Sequence, residues 1–301
     1  MSDMDSLLVH HENPELDSPV VVVALEGWID AGSAAAGAMS SLLASSGAEP
    51  IATFDSDRLL DHRARRPIMH LVNGMITSLE WPATELHAGV DGAGRDMLML
   101  TGAEPDFEWA AFTRTVMDLI EDNEASMLVY LGAYPAPAPH TRPVSLSITT
   151  SSEEVSERLR GYVRGSLNVP AGIHAVLDTE ATRLGIPAVG LWAQVPHYIS
   201  SMSYPAASLA LLEALDDVAG LQVEAKDLAA EAAATRDRLD RLVAENPEHV
   251  AMVEQLETVV DTAEPVEEPP GAGPINIGDI PSGDELAEEF QRFLEERPDE
   301  G

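Results

Sequence analysis

The chain has 301 residues, 45% of them hydrophobic, and no cysteine. It is long enough to bury a large core, and disulfides, zinc–thiolate sites and cysteine nucleophiles are excluded. Its 52 acidic against 17 basic residues leave a net charge of −35, a field that repels nucleic-acid phosphates and anionic membrane surfaces, so neither is an expected partner.

The opening Met1-Ser2-Asp3-Met4-Asp5 is acidic and lacks the basic and apolar regions of a signal peptide. No apolar run nears the roughly 20 residues of a membrane span, and the expected location is the cytoplasm. Val20 to Leu25 is a β-branched apolar run, the pattern of a strand buried on both faces of a parallel sheet. Glu26-Gly27-Trp28-Ile29-Asp30-Ala31-Gly32 follows as a loop and leads into a small-residue helix over about 33–45, the opening of an α/β unit. This loop leaves the carboxyl end of a strand, where such sheets bind ligands. Two readings stay open: an anion-binding turn, or a tight turn whose Asp30 caps the helix. It matches neither a Walker loop nor G-x-G-x-x-G. Ile51 to Asp55 reads as the next strand.

Residues 67–101 read as antiparallel hairpin material, with Ile68 to Val72 and Met97 to Leu100 as strands and turn signals at Asn73-Gly74 and Asp91-Gly92. A helix over about 107–123 precedes a strand over 127–131. Pro135 to Pro143 then reads as a stiff loop that presents His140, Thr141 and Arg142. Arg142 is suited to clamp a carboxylate or phosphate and His140 to act as a general base; the alternative is a rigid connection in which Arg142 pairs with a structural carboxylate. A strand over 144–149 leads to Ser151 and Glu154, a capping-box pair for a short helix. A helix over 173–184 stops at Gly185, and a strand over 188–193 follows. Trp192-Ala193-Gln194-Val195-Pro196-His197-Tyr198 leaves that strand with an indole, an amide, an imidazole and a phenol, a set fit either for a small ligand or for core and subunit contacts. Neither G-x-S-x-G nor H-E-x-x-H occurs, and His10-His11 lie in a stretch expected to fray. Ser33 and Thr141 are nucleophile candidates by elimination only, and no metal or cofactor is expected.

From Tyr204 the periodicity turns helical, over about 205–217, 223–245 and 248–262, with a break at Asn246-Pro247. Residues 213–301 carry 25 acidic and 6 basic residues. Residues 264–281 have a linker composition, and Ser282 with Glu285 opens a last helix with Leu286, Phe290, Phe293 and Leu294 on one face. The expected organisation is an α/β core over 1–217, a mixed sheet flanked by helices with a hairpin insertion, then an acidic helical region over 218–301.

Three of these segments together resemble the bacterial, actinobacterial-type branch of the proteasome assembly chaperone family. They are Val20 through Gly32, the Pro139-His140-Thr141-Arg142-Pro143 loop, and Gly190-Leu191-Trp192-Ala193-Gln194-Val195-Pro196-His197-Tyr198. The similarity runs from about residue 18 to 215. It implies a purine nucleoside phosphorylase-like core, hairpins that serve oligomerisation, a homo-oligomer with a trimer as the expected state, and C-terminal helices lying as a lid over a pocket. Glu26, Trp28, Asp30, His140, Thr141, Arg142, Trp192, Gln194, His197 and Tyr198 would line that pocket. Family members that engage proteasomes often end in a hydrophobic–Tyr–any tripeptide, whereas this chain ends Asp299-Glu300-Gly301. Two functions follow as expectations: a non-enzymatic assembly or scaffolding protein with a protein partner, or a ligand-binding protein or enzyme with a lidded pocket at the strand ends.

Overall fold

The computed structural model describes residues 6–27, 29–160, 162 and 167–262, with the backbone of 275–276. Trp28, and the linker and final helix expected over 264–294, lie outside these residues, the backbone of 275–276 apart. In chain order the elements are β1 (Leu8–His10), β2 (Val20–Glu26), α1 (Ala34–Ser45), β3 (Glu49–Phe54), α2 (Ser56–Leu59), β4 (Ile68–Val72), β5 (Met75–Glu80), β6 (Thr84–Val90) and β7 (Asp96–Ala103). They continue with α3 (Trp109–Asp122), β8 (Met127–Ala136), β9 (Leu146–Thr149), α4 (Glu153–Arg158), β10 (Leu167–Asn168), α5 (Ile173–Arg183), β11 (Ala188–Pro196), α6 (Pro205–Ala219), α7 (Lys226–Ala244), α8 (Pro247–Thr262) and β12 (Ile275–Asn276). The contacts divide the chain into two units, Met1–Val163 with Gly172–Glu264, and Arg164–Ala171 with Pro265–Gly301. Within the second, β10 pairs in parallel with β12. All that follows concerns the first.

Its main sheet has eight strands in the order β1-β3-β6-β7-β2-β8-β11-β9. The neighbours β7, β2, β8 and β11 run parallel, and antiparallel partners close both edges. The valine run is legible here: Val20 to Val23 sit in β2 between β7 and β8, all buried, because helices cover both faces. Even-numbered Val20 and Val22 face the core shared with α1 and α6; Val21 and Val23 face the core shared with α3 and α5. On the first face α1 is built of small residues, and α6 packs closely on it with Leu211 and Leu215 fully buried. On the second, the Phe54 and Phe112 rings meet at 4.8 Å.

Four sequence expectations shift. β8 does not end at 131 but runs to Ala136 through Pro135, paired with β11 after its pairing with β2 has ended at Tyr130. β11 likewise runs to Pro196, so Gln194 to Pro196 are strand rather than loop. The short helix α4 is capped by Ser152, which accepts from the Val155 N–H, while the Ser151 N–H donates to Asp178 Oδ1 at 2.7 Å in place of the Glu154 carboxylate a capping box would use. His10 lies in edge strand β1, and His11 bonds Thr53 Oγ1 at 2.8 Å.

The strands β4 and β5 form a sheet of their own, closed by a two-residue turn with positive φ at both Asn73 (52°) and Gly74 (79°), the geometry an Asn-Gly hairpin favours. Every apolar side chain in it, from Ile68 to Leu79, is at least 47% exposed. No helix among the described residues is long and apolar enough to cross a membrane.

Candidate functional site

The first loop is ordered by its own carboxylate. The backbone of Asp30 bridges to Ala133 on β8, and its side chain accepts from the N–H groups of Ala35 (2.8 Å) and Ala36 (3.0 Å) at the start of α1. Burial raises the Asp30 carboxyl above its ordinary range against the lowering effect of those bonds. Of the two readings left open, helix capping is therefore what Asp30 does here. Gly32 joins this loop to the segment after β11, donating to Ser200 O and accepting from Tyr204 N. Glu26 is exposed, and its carbonyl accepts from Glu104 N at 2.7 Å.

The second loop lies under α7 and α8. His140, only 2% exposed, has both ring nitrogens engaged: Nδ1 meets Tyr198 Oη at 2.6 Å, and Nε2 meets Asp240 Oδ1 on α7 at 3.1 Å. The His140 N–H also donates to Tyr198 Oη at 2.8 Å. Burial lowers the imidazole pKa, and the Asp240 carboxylate opposes it only in part. Thr141 Oγ1 donates to Glu257 on α8, and the Arg236 guanidinium donates to the Thr141 carbonyl. Arg142 forks onto Asp261 through Nε (2.9 Å) and Nη2 (2.6 Å), and reaches Glu257 through Nη1 at 3.0 Å. The bonds to Asp261 raise the guanidinium pKa and lower that of the Asp261 carboxyl. The stiff loop is thus a latch for the two helices, and Arg142 has its carboxylates within the chain.

The third segment divides by strand alternation. Leu191, Ala193 and Val195 face α1 and α6, so Trp192 turns to the face that carries α5. Its indole lies across Gly132 and Gly190, where a Cβ would collide with the ring, and its Nε1 donates to Thr149 Oγ1 at 2.9 Å. The His174 ring meets the indole at 4.8 Å. Gln194 Nε2 donates to Ser147 Oγ, which also meets Tyr134 Oη at 2.6 Å. His197 is exposed, its ring 5.5 Å edge-on from that of Tyr198. The structure therefore joins His140, Thr141, Arg142 and Tyr198 beneath the helix pair, and places Trp192 on the other face of the sheet.

Residues not singled out from the sequence complete both places. Asp240, Glu257, Asp261 and Arg236 hold the latch; Arg236/Asp240 and Glu257/Asp261 are pairs at helical i,i+4 spacing, a readable sign of one charged face. On the α5 side, Trp192 lines a small cavity with Tyr130, His174 and Glu104, and Asp178 lies near Tyr130. Tyr130 Oη and Asp178 Oδ2 are buried without a hydrogen-bond partner among the described residues. Burial, with the nearby Asp178 carboxylate, pushes the Tyr130 phenol pKa well up, and burial raises that of Asp178. Burial also lowers the His174 imidazole to about 4.

The profile of the PAC2 family matches residues 24–243. A protein of unknown function from Corynebacterium glutamicum is 31% identical with a TM-score of 0.80, over 85% of this chain and 98% of its own. A proteasome-assembly chaperone homologue from Mycobacterium tuberculosis is 36% identical with a TM-score of 0.72, over 78% of this chain and 99% of its own. A PAC2 family protein from Streptomyces avermitilis is 34% identical with a TM-score of 0.70, over 78% and 99%. No curated protein matches the chain.

Proposed function

The chain belongs to the PAC2 family, and on that premise we propose that it is a non-enzymatic, homo-oligomeric assembly or scaffolding protein of the proteasome-assembly-chaperone type. The observation that carries this reading is the β4–β5 hairpin. Ile68 and Met69, Leu71 and Val72, and Met75 and Ile76 are adjacent pairs along its strands, and successive side chains point to opposite faces, so both faces of a two-stranded sheet are apolar and exposed. Such a ribbon is marginal alone in water, and each side chain fully covered by a partner returns roughly 1.5–3 kcal/mol. Arg63 and Arg66, just before β4, are exposed and make no ion pair among the described residues. On a chain of net charge −35 this basic approach to an apolar ribbon complements the acidic surface of a second copy. A trimer is the stoichiometry we favour, with a protein partner held by the assembled surface.

Native mass spectrometry of the protein, gently purified from its own host, tests this. Expected are three copies of the 32.2 kDa chain, with foreign subunits where a partner is retained. The variant Ile76→Asp is expected to fall to a single copy. A wild-type chain that stays single at micromolar concentration overturns the oligomer, and an Ile76→Asp variant that keeps the full mass removes the hairpin from it.

A further inference from the structure

A small cavity of about 30 Å3 opens where the parallel strands end on the α5 side of the sheet. Each parallel strand contributes to its wall: Leu25 from β2, Glu104 just beyond β7, Tyr130 from β8 and Trp192 from β11, with His174 from the first turn of α5. In an open α/β sheet this is the edge at which ligands bind. None of these groups belongs to the latch, and only Trp192 was among the residues marked from the sequence.

The wall is built rather than incidental. Glu104 is fixed at both ends, its N–H donating to the Glu26 carbonyl at 2.7 Å and its Oε1 accepting from Ile173 N at 2.6 Å. The rings of Trp192 and Tyr130 flank His174, with centroids 4.8 and 6.1 Å from its own. The Tyr130 hydroxyl has no hydrogen-bond partner among the described residues although the residue is only 2% exposed, a state that costs about 1–3 kcal/mol unless something fills it.

The chemistry of the wall selects the ligand. A volume of this size takes one group as large as a water molecule or an ammonium head. The Glu104 carboxylate and the Tyr130 oxygen are hydrogen-bond acceptors, and the indole and phenol faces attract a cation. His174, held neutral at pH 7 by burial, does not repel one. An anion would meet the Glu104 carboxylate, and an apolar group would leave the Tyr130 hydroxyl unbonded. We propose that this cavity binds the ammonium head of a small alkylamine, its chain leaving past Ile29, which is 36% exposed.

The test is a titration of the full chain with n-butylammonium chloride, followed by indole fluorescence, against sodium chloride of equal ionic strength and against n-butanol. Saturable binding of the amine and neither control is expected. The variant Glu104→Gln keeps an amide oxygen for the Ile173 N–H but loses the charge, and should bind roughly tenfold or more weakly, since hydrogen bonds to charged groups exceed neutral ones by that order. Tyr130→Phe should weaken binding by a smaller factor. A second arm uses a lysine blocked at both ends: tighter binding than butylammonium assigns the site to a lysine side chain, weaker binding to a free amine. No saturable response in the wild type overturns the proposal, as does unchanged affinity in Glu104→Gln or, should that variant not fold, in Tyr130→Phe. The native mass of the oligomer is untouched by either result, so this site and the hairpin stand or fall separately.

Discussion

The molecule carries two polar clusters on opposite faces of one sheet, and they are finished to different degrees. Beneath α7 and α8 the contacts close on themselves: both ring nitrogens of His140, the Thr141 hydroxyl and the Arg142 fork all have partners. Beside α5, Tyr130 and Asp178 each keep a buried oxygen without a partner among the described residues, and Tyr130 lines a cavity. Around the buried His140 ring a satisfied network rigidifies, while the exposed Arg142–Asp261 pair adds little; an unsatisfied buried group is costly and persists where something else supplies the missing bond. The first cluster is therefore an attachment, fastening two helices with few buried apolar residues of their own: Ala232 and Leu239 on α7, Val253 and Leu256 on α8. The second has the character of a site.

The largest expected difference between the clusters is in acid. Unfolded, the His174 ring takes a proton near pH 6.5; folded, burial delays this to about pH 4. Below 6.5 the unfolded state thus binds the extra proton, and the native state loses stability as pH falls, by roughly 2 kcal/mol at pH 5 and roughly 3 kcal/mol at pH 4, with no change above pH 7. His140 is lowered as well and acts in the same direction. Urea unfolding from pH 7 to 4.5 should show a shallower acid slope in His174→Gln than in the wild type. Equal slopes would mean that His174 is solvated, and the contrast between the two faces would fail. Next in size is His140→Ala, which strips Tyr198 Oη and Asp240 of their common partner. A loss of about 2 kcal/mol is expected, the scale of leaving one half-buried polar group unpaired beside a small void. Amide exchange should quicken across 226–262 and stay unchanged in α5. Uniform acceleration over the whole core would show that the helix pair is not separately latched.

Much of the scaffold was readable because its signals are local. The valine run of β2, the Asn73-Gly74 turn and the Asn246-Pro247 break are each decided by neighbours in sequence. The shifts came from contacts across the fold. Proline ordinarily ends a central strand, yet Pro135 continues β8 because β2 has already left that side. Ser151 and Ser152 are both good caps; the cap falls on Ser152, and the Ser151 N–H goes to Asp178, 27 residues away, rather than to Glu154. The same holds for function. The sequence marks the 140–142 loop as polar and stiff, and leaves open whether Arg142 serves a ligand or a carboxylate of the protein. The acids that occupy it lie more than a hundred residues on, in helices whose charge reads only as solvated surface. The cavity beside α5 is assembled from four strands and a helix start, with spacings that no motif encodes.

The smallest effect discriminates most sharply. Tyr130→Phe removes one buried oxygen and leaves the ring that packs in the core around Leu177 and Ile173. If the hydroxyl is an unmet hydrogen-bonding group in the free protein, the variant gains up to about 1 kcal/mol in thermal or urea unfolding, because a desolvation penalty disappears with no bond lost. The corresponding change on the other face, Tyr198→Phe, removes an oxygen that meets the His140 ring and backbone, and should cost about 1 kcal/mol. Opposite signs for two identical chemical changes would confirm that one face is completed and the other is held open. A loss of 1 kcal/mol or more in both would mean that a buried water already bridges Tyr130 to Asp178. The cavity would then be a hydrated part of the core, and an amine would have to displace that water to enter.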